Sequence, residues 1–378
     1  MYKIIDEYIE LLIKKSTPER PYWNIEGAKG ILGGKWNYVD GCMLISLIDQ
    51  YYETKNRKYL DFVKSFVDFY VFEDGTIKGY DIYDYNIDDI CESRILFDLY
   101  NEFKEEKYLK ALKMTYLHVI RHPRTKEGSL WHKRIYPHQV WLDGLFMAQP
   151  FYARYEAVYN NKKNYKDILN QFKNVRLFMF DPKYKLYYHG FDSSKSAFWC
   201  DKETGLSKNF WLRAMGWYLV SIVDVISYYE DDNIKKDFFY PLLKEAIDGL
   251  LQYQDKKSKM FYQIINSDDN RNYLETSGSS LTCFTILKGV RIGALPKEYL
   301  QIGLDLFDGI CKHSLREVNG ELNLTDICLV AGLGPDNNLR RDGTLDYYFS
   351  EPIVNNDAKG VGPFIMAYTE ILKLKKQK

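Results

Sequence analysis

The chain has 378 residues and sets 52 Lys and Arg against 52 Asp and Glu, a formal net charge of zero. That excludes a nucleic-acid binder working through bulk positive charge, which needs a basic surplus to displace counter-ions. Hydrophobic residues are 46% of the chain, which excludes wholesale disorder and supplies a large core.

In chain order, apolar residues recurring at three and four spacings predict helices at about 2–15, 39–54, 57–71, 88–104, 106–121, 141–160, 163–178, 209–230, 234–254, 277–293, 296–312 and 358–374. The first of these carries acids among its apolar residues and lacks a small-residue cleavage site, so it does not read as a signal peptide. No apolar run approaches the ~20 residues a membrane span needs, and a reducing cytoplasm is the expected location. Short polar turns such as Glu53-Thr54-Lys55-Asn56 and Asn160-Asn161-Lys162-Lys163 force neighbouring helices antiparallel. A weak repeat supports the pairing. An aromatic helix end, a polar turn and a Tyr opening the next helix recur at Tyr51-Tyr52 to Tyr59, Tyr100 to Tyr108, and Tyr159 to Tyr165. Tyr38-Val39-Asp40-Gly41 echoes Trp141-Leu142-Asp143-Gly144. The twelve helices form six hairpins, and closing them into a ring gives an all-α (α/α)6 barrel; an open solenoid is the alternative.

Long connections at 122–138, 179–208, 255–276 and 313–357 are expected to be functional or to carry short strands, with 184–190 and 260–264 as β-hairpin arms. No low-complexity linker divides the chain, so residues 1–378 read as one domain. The six cysteines are scattered singly without a CxxC pair, which favours buried free thiols over a zinc site.

The residues able to do chemistry sit at predicted helix starts. Asp143 is wedged between Trp141, Leu142 and Leu145. An apolar setting favours its neutral form, as a general acid needs, whereas an N-cap role gives its oxygens to backbone N–H groups. Asp88-Asp89 opens another helix, either as capping partners or, through Asp88, as the second carboxylate of a glycosidase pair. Phe210-Trp211-Leu212-Arg213-Ala214-Met215-Gly216-Trp217 places two Trp six residues apart, off one helical face. The segment is therefore expected to turn near Ala214-Met215-Gly216 and aim Trp211 and Arg213 into the ring mouth; a Trp-rich core with a structural Arg is the alternative. His132 and His189 lie in loops without the spacing of a metal site. Glu275-Thr276-Ser277-Gly278-Ser279-Ser280 permits either close helix packing or a hydroxyl contact and is no phosphate loop.

Trp141-Leu142-Asp143-Gly144-Leu145-Phe146-Met147, Trp211-Leu212-Arg213-Ala214-Met215-Gly216-Trp217, Glu275-Thr276-Ser277-Gly278-Ser279, Lys288-Gly289-Val290-Arg291 and Glu351-Pro352-Ile353-Val354 with Asn356-Asp357 occur in one order. Together they resemble glycoside hydrolase family 105, the unsaturated rhamnogalacturonyl hydrolases, with the unsaturated glucuronyl hydrolases of family 88 as relatives. The chain departs from the family's pattern at Ala214-Met215. The resemblance implies an (α/α)6 barrel and a hydrolase removing a 4,5-unsaturated uronic acid from a non-reducing end. The expected source is unsaturated galacturonate linked to rhamnose, from lyase-cut pectin. It implies Asp143 as general acid/base, Asp88 as second active-site acid, and His132, His189, Trp211, Arg213, Trp217, Trp141 and Tyr38 as sugar contacts, with Arg213 expected on the uronate carboxylate. It implies no cofactor and no metal. The expected partner is a small unsaturated oligosaccharide as substrate rather than nucleic acid or membrane, and the protein is expected to be a monomer or homodimer. Two rival readings remain: an (α/α)6 glycosidase or epimerase acting on saturated sugars, and a non-catalytic glycan-binding protein.

Overall fold

The computed structural model describes residues 2–30 and 34–376. Twelve barrel helices, labelled here in chain order, carry the fold. They are α1 (Tyr2–Lys14), α2 (Tyr38–Thr54), α3 (Arg57–Asp68), α4 (88–103), α5 (Glu106–Arg121), α6 (Leu142–Tyr159), α7 (Tyr165–Met179), α8 (Leu212–Tyr228), α9 (232–251), α10 (Thr276–Arg291), α11 (Tyr299–Ser314) and α12 (Ala358–Lys376). Their ends follow local chemistry. Asn37 and Asn56 cap α2 and α3 with side-chain oxygens, and Lys55 and Lys104 end α2 and α4 in the left-handed region at φ of 60° and 58°. α4 is three contiguous pieces, with a 3₁₀ stretch at Glu92–Ile95, and α9 contains a π turn at Lys235–Phe239.

Burial separates the helices into two rings. α8 is buried all round from Leu212 to Ile226, whereas α3 buries one stripe, Tyr59, Leu60, Val63, Phe66 and Val67. The inner ring runs α2, α4, α6, α8, α10, α12 and closes where α12 meets α2. There a Cβ on Gly362 would lie 2.5 Å from the Cys42 carbonyl oxygen, so the closure needs a glycine. α1 packs back on α12, with the Tyr368 hydroxyl donating to Asp6 at 2.9 Å, and thus supplies the outer partner of the last inner helix. This is the (α/α)6 barrel expected from the periodicity.

One end of the barrel is plugged by charge. Arg94 and Lys288 both bind Asp224, Lys373 joins Asp49 at 2.6 Å and Glu370 at 3.0 Å, and Arg154 forks onto Asp98 at 2.7 and 2.8 Å. These residues line a cavity of about 150 Å³. The other end is covered by the long loops. Their strands are two-stranded antiparallel pairs: Gln139–Trp141 with Gly190–Asp192, Phe180–Asp181 with Leu186–Tyr187, Leu315–Val318 with Glu321–Leu324, and Ile327–Cys328 with Ile353–Val354. The expected arm at 184–190 is split between two such pairs. The one expected at 260–264 forms only single bridges, Tyr262 to Leu274 and Ile264 to Trp211.

One local expectation fails. α8 does not turn at Ala214-Met215-Gly216 but runs unbroken to Tyr228, because Gly216 seats against Leu281 of α10 and the stretch is buried on every side. All six cysteines are buried and unpaired. Among the described residues no helix is long and apolar enough to cross a membrane.

Candidate active site

The first turns of the inner helices meet under the long loops. Asp143 lies in the first turn of α6, yet the cap position is Trp141 and no side-chain cap bond forms there. The capping alternative for Asp143 therefore falls. Its Oδ2 has no hydrogen-bond partner and faces His189 Nε2, itself unpartnered, at 3.3 Å. Behind the imidazole, Nδ1 is 2.6 Å from the Tyr348 hydroxyl. Trp211 walls this group, its ring centroid 4.8 Å from that of His189.

Asp88 faces the same space from the start of α4. Lys133 Nζ is 2.6 Å from its Oδ2 and His132 Nε2 3.6 Å from its Oδ1. Burial works to raise the Asp88 carboxyl, but the Lys133 ammonium and His132 outweigh it and hold it below the usual carboxylate range. Burial lowers His132 to about 4, so its ring is neutral at neutral pH. Trp141 stacks on His132 at 4.1 Å and meets His189 edge-on at 5.6 Å, bridging the two walls. Tyr38, half-buried at the start of α2, lies in the field of Asp88, Glu26 and Arg213.

The structure thus brings together Asp143, Asp88, His132, His189, Trp211, Trp141 and Tyr38. It sets two expected contacts apart. Trp217 is 1% exposed and stacks on Phe146 at 4.3 Å, inside the core, because unbroken helix carries it away from the mouth. Arg213 is at the mouth, but each of its three guanidinium nitrogens has an internal acceptor. Nε donates to Ser277 Oγ at 2.7 Å, Nη1 to the Leu329 carbonyl at 3.3 Å, and Nη2 to the Cys328 carbonyl. Glu275 completes this knot, accepting from Ser277, Gly278 and Cys328 N–H groups. The Glu275–Ser280 stretch therefore serves packing: a Cβ on Gly278 would lie 2.4 Å from Leu212 Cγ. Sequence reasoning missed Lys133 and Tyr348. Lys133 directly follows His132 in the chain, whereas Tyr348 is 159 positions from the histidine it supports.

Five buried polar atoms in this mouth lack partners: Asp88 Oδ1, His132 Nδ1, Asp143 Oδ2, His189 Nε2 and Trp211 Nε1. Buried polar groups in folded proteins are normally satisfied, so such a convergence marks a surface shaped for a polar ligand. The family model of Glycosyl Hydrolase Family 88 matches residues 19–375.

The chain belongs to glycosyl hydrolase family 88.

A solved glycoside hydrolase of family 105 from C. acetobutylicum ATCC 824 is 42% identical, with 91% of this chain and 96% of that one covered at a TM-score of 0.86. Among curated proteins, Protein Atu3128 of Agrobacterium fabrum is 33% identical over 60% of this chain and 99% of its own length. The unsaturated rhamnogalacturonyl hydrolase YesR of Bacillus subtilis is 26% identical over 71% of this chain and 74% of its own. The resemblance to family 105 drawn from the five motifs holds, and with it the assignment of this family 88 chain as a glycoside hydrolase.

Proposed function

We propose that the chain acts as one catalytic domain that removes a 4,5-unsaturated uronic acid from the non-reducing end of a lyase-derived oligosaccharide, with a rhamnose-linked disaccharide as the first substrate to test. The observation that carries this reading is Asp143, an uncapped carboxyl in an aromatic-walled mouth whose free oxygen faces His189 at 3.3 Å.

The C4=C5 bond of such a sugar is an enol ether. Asp143 gives a proton to C4, and the cation at C5 is shared with the ring oxygen. Water adds at C5 and returns a proton to the Asp143 carboxylate. The hemiketal then opens to a C5 ketone, leaving C1 as a hemiacetal that releases the second sugar. One carboxyl serves both proton transfers. Asp88, kept ionised beside Lys133, orients sugar hydroxyls or water. Lys133, half-buried rather than enclosed, meets the uronate carboxylate in the role the sequence suggested for Arg213. The convergent N-terminal ends of the inner helices add a positive field that favours an anionic sugar.

Asp143→Asn keeps the shape of the side chain and removes the transferable proton. It should lower turnover by at least ~10²-fold with unchanged circular dichroism, read as the rate at which the ultraviolet absorbance of the conjugated acid disappears. Near-wild-type turnover, or equal activity on the saturated disaccharide, refutes the reading.

A further inference from the structure

Of the six histidines, His132 and His189 face the mouth, whereas His118 and His122 are buried in a row outside it. His118 lies in the last turn of α5 and His122 at its end. The Tyr80 hydroxyl is 2.7 Å from His118 Nδ1, His118 Nε2 is 3.1 Å from His122 Nδ1, and His122 Nε2 is 2.8 Å from the Trp131 carbonyl oxygen. Burial lowers His118 to about 4 and His122 to about 3, so both rings are neutral at neutral pH. The direction of donation then has one solution. A carbonyl only accepts, so His122 carries its proton on Nε2 and presents a lone pair at Nδ1. His118 must donate to that lone pair from its own Nε2, which leaves its Nδ1 to accept from Tyr80.

The row ends on a peptide group that belongs to the mouth. The Trp131 carbonyl and the His132 N–H are two ends of one peptide. That N–H donates to the Gln139 carbonyl at 2.7 Å, on the strand that runs into Trp141 and α6. The His132 carbonyl accepts from the Ile87 N–H at 3.4 Å, directly before Asp88, and the Arg134 N–H donates to the Tyr85 carbonyl at 3.0 Å. Residues 131–134 are thus a strip wedged between the segments that lead to Asp88 and to Asp143. His132 and Lys133 extend from it to Asp88. Gln139 and Ile87 hold the strip at its edges, and His122 ties it to the outer helix α5. A Lys ammonium rides on a flexible four-carbon stem, so its reach is set by where its backbone is held.

We propose that Tyr80, His118 and His122 are positioning residues, a hydrogen-bond relay of fixed direction that sets the Trp131–His132 peptide and, through it, the reach of Lys133 toward the uronate carboxylate. This rests on the hydrolase reading above, in which Lys133 meets that carboxylate, and adds to it a remote determinant of uronate affinity. Every donor in the relay points toward the strip, so each bond polarises the next and strengthens the last one.

The full chain and the unsaturated galacturonyl-rhamnose disaccharide test it. His122→Gln carries an amide nitrogen to the place of Nε2 and still reaches the Trp131 carbonyl. His122→Asn keeps an amide near Nδ1 for His118 but stops short of that carbonyl. KM should rise at least ~5-fold in His122→Asn with kcat held within about twofold, and should stay within about twofold of wild type in His122→Gln. A purely structural role lowers the folded fraction, and so the apparent kcat, at unchanged KM. That outcome in His122→Asn, or equal KM in the two variants, overturns the proposal. Nitrogen-15 spectra of the labelled wild type should show both buried rings as neutral Nε2–H tautomers. In Tyr80→Phe, which loses one hydroxyl, His118 should no longer hold that single form. A wild-type His122 protonated on Nδ1 overturns the proposal even where neither variant at 122 folds. A wild type that leaves the disaccharide intact brings down the hydrolase reading itself, and this inference with it.

Discussion

Asp143, His189 and Tyr348 form a line in which the first two face the mouth and Tyr348 stands behind them. Imidazole has two tautomers, and a hydroxyl either donates or accepts, so Tyr348 supports His189 whether Asp143 holds its proton or has given it up. Tyr348 is thus a positioning residue. Its hydroxyl stays protonated, since burial pushes it well above its ordinary value. Tyr348→Phe leaves a buried ring nitrogen without its partner, a loss of about 1–3 kcal/mol. The expected result is a kcat lower by roughly 5- to 100-fold with KM little changed. A variant altered in KM alone would show that Tyr348 serves binding rather than the orientation of His189.

At the scale of elements, function concentrates where inner helices begin, and the broken start of α4 illustrates the cost. Asp88 and Asp89 are adjacent and both buried, but only Asp88 has Lys133 within ion-pair distance. Burial raises Asp89 to about 7, against the lowering influence of Lys35, Lys133 and Asn86. An unfolded Asp ionises near 3.9. Between those values the folded chain holds a proton that the unfolded chain has released. Asp89 therefore stabilises the fold below about pH 4, and that contribution is lost as pH rises through about 7. The full difference is of order 4 kcal/mol. Asn at this position does not titrate. The Tm of Asp89→Asn relative to wild type should thus climb from pH 4 to pH 8, while the buried histidines, common to both proteins, cancel. A Tm difference that stays flat across that range would mean that Asp89 ionises normally.

Across the whole molecule, the barrel keeps its two ends for different work. The mouth leaves polar atoms unpartnered, whereas the far end consumes its charges in pairs. Asp224 is 2% exposed and anchors both Arg94 and Lys288, and these two cations together hold its carboxyl below the usual range against burial. Asp224→Ala would strand both, an expected loss of about 3–5 kcal/mol in unfolding free energy by denaturant titration. The kcat of the folded fraction should be nearly unchanged, because among the described residues Asp224 is hydrogen-bonded and ion-paired only to Arg94 and Lys288, neither of them a mouth residue. A large fall in kcat without loss of stability would contradict the separation of the two ends.

The twelve helices and their hairpin order were legible in the sequence because each helix repeats its apolar stripe over several turns, and that signal survives any tertiary arrangement. Asp143, Asp88, His132, His189 and Trp211 were legible because they sit at helix starts or in marked loops beside aromatics. Trp217 was not, since the turn expected at Ala214-Met215-Gly216 is overridden by packing of Gly216 on Leu281. Whether a guanidinium is free or tied also depends on carbonyls more than a hundred residues away, as with Arg213 and Cys328. The same holds for Tyr348 behind His189. Periodicity is a local property of the chain, but the pairing of a charge is decided only when distant segments close around it.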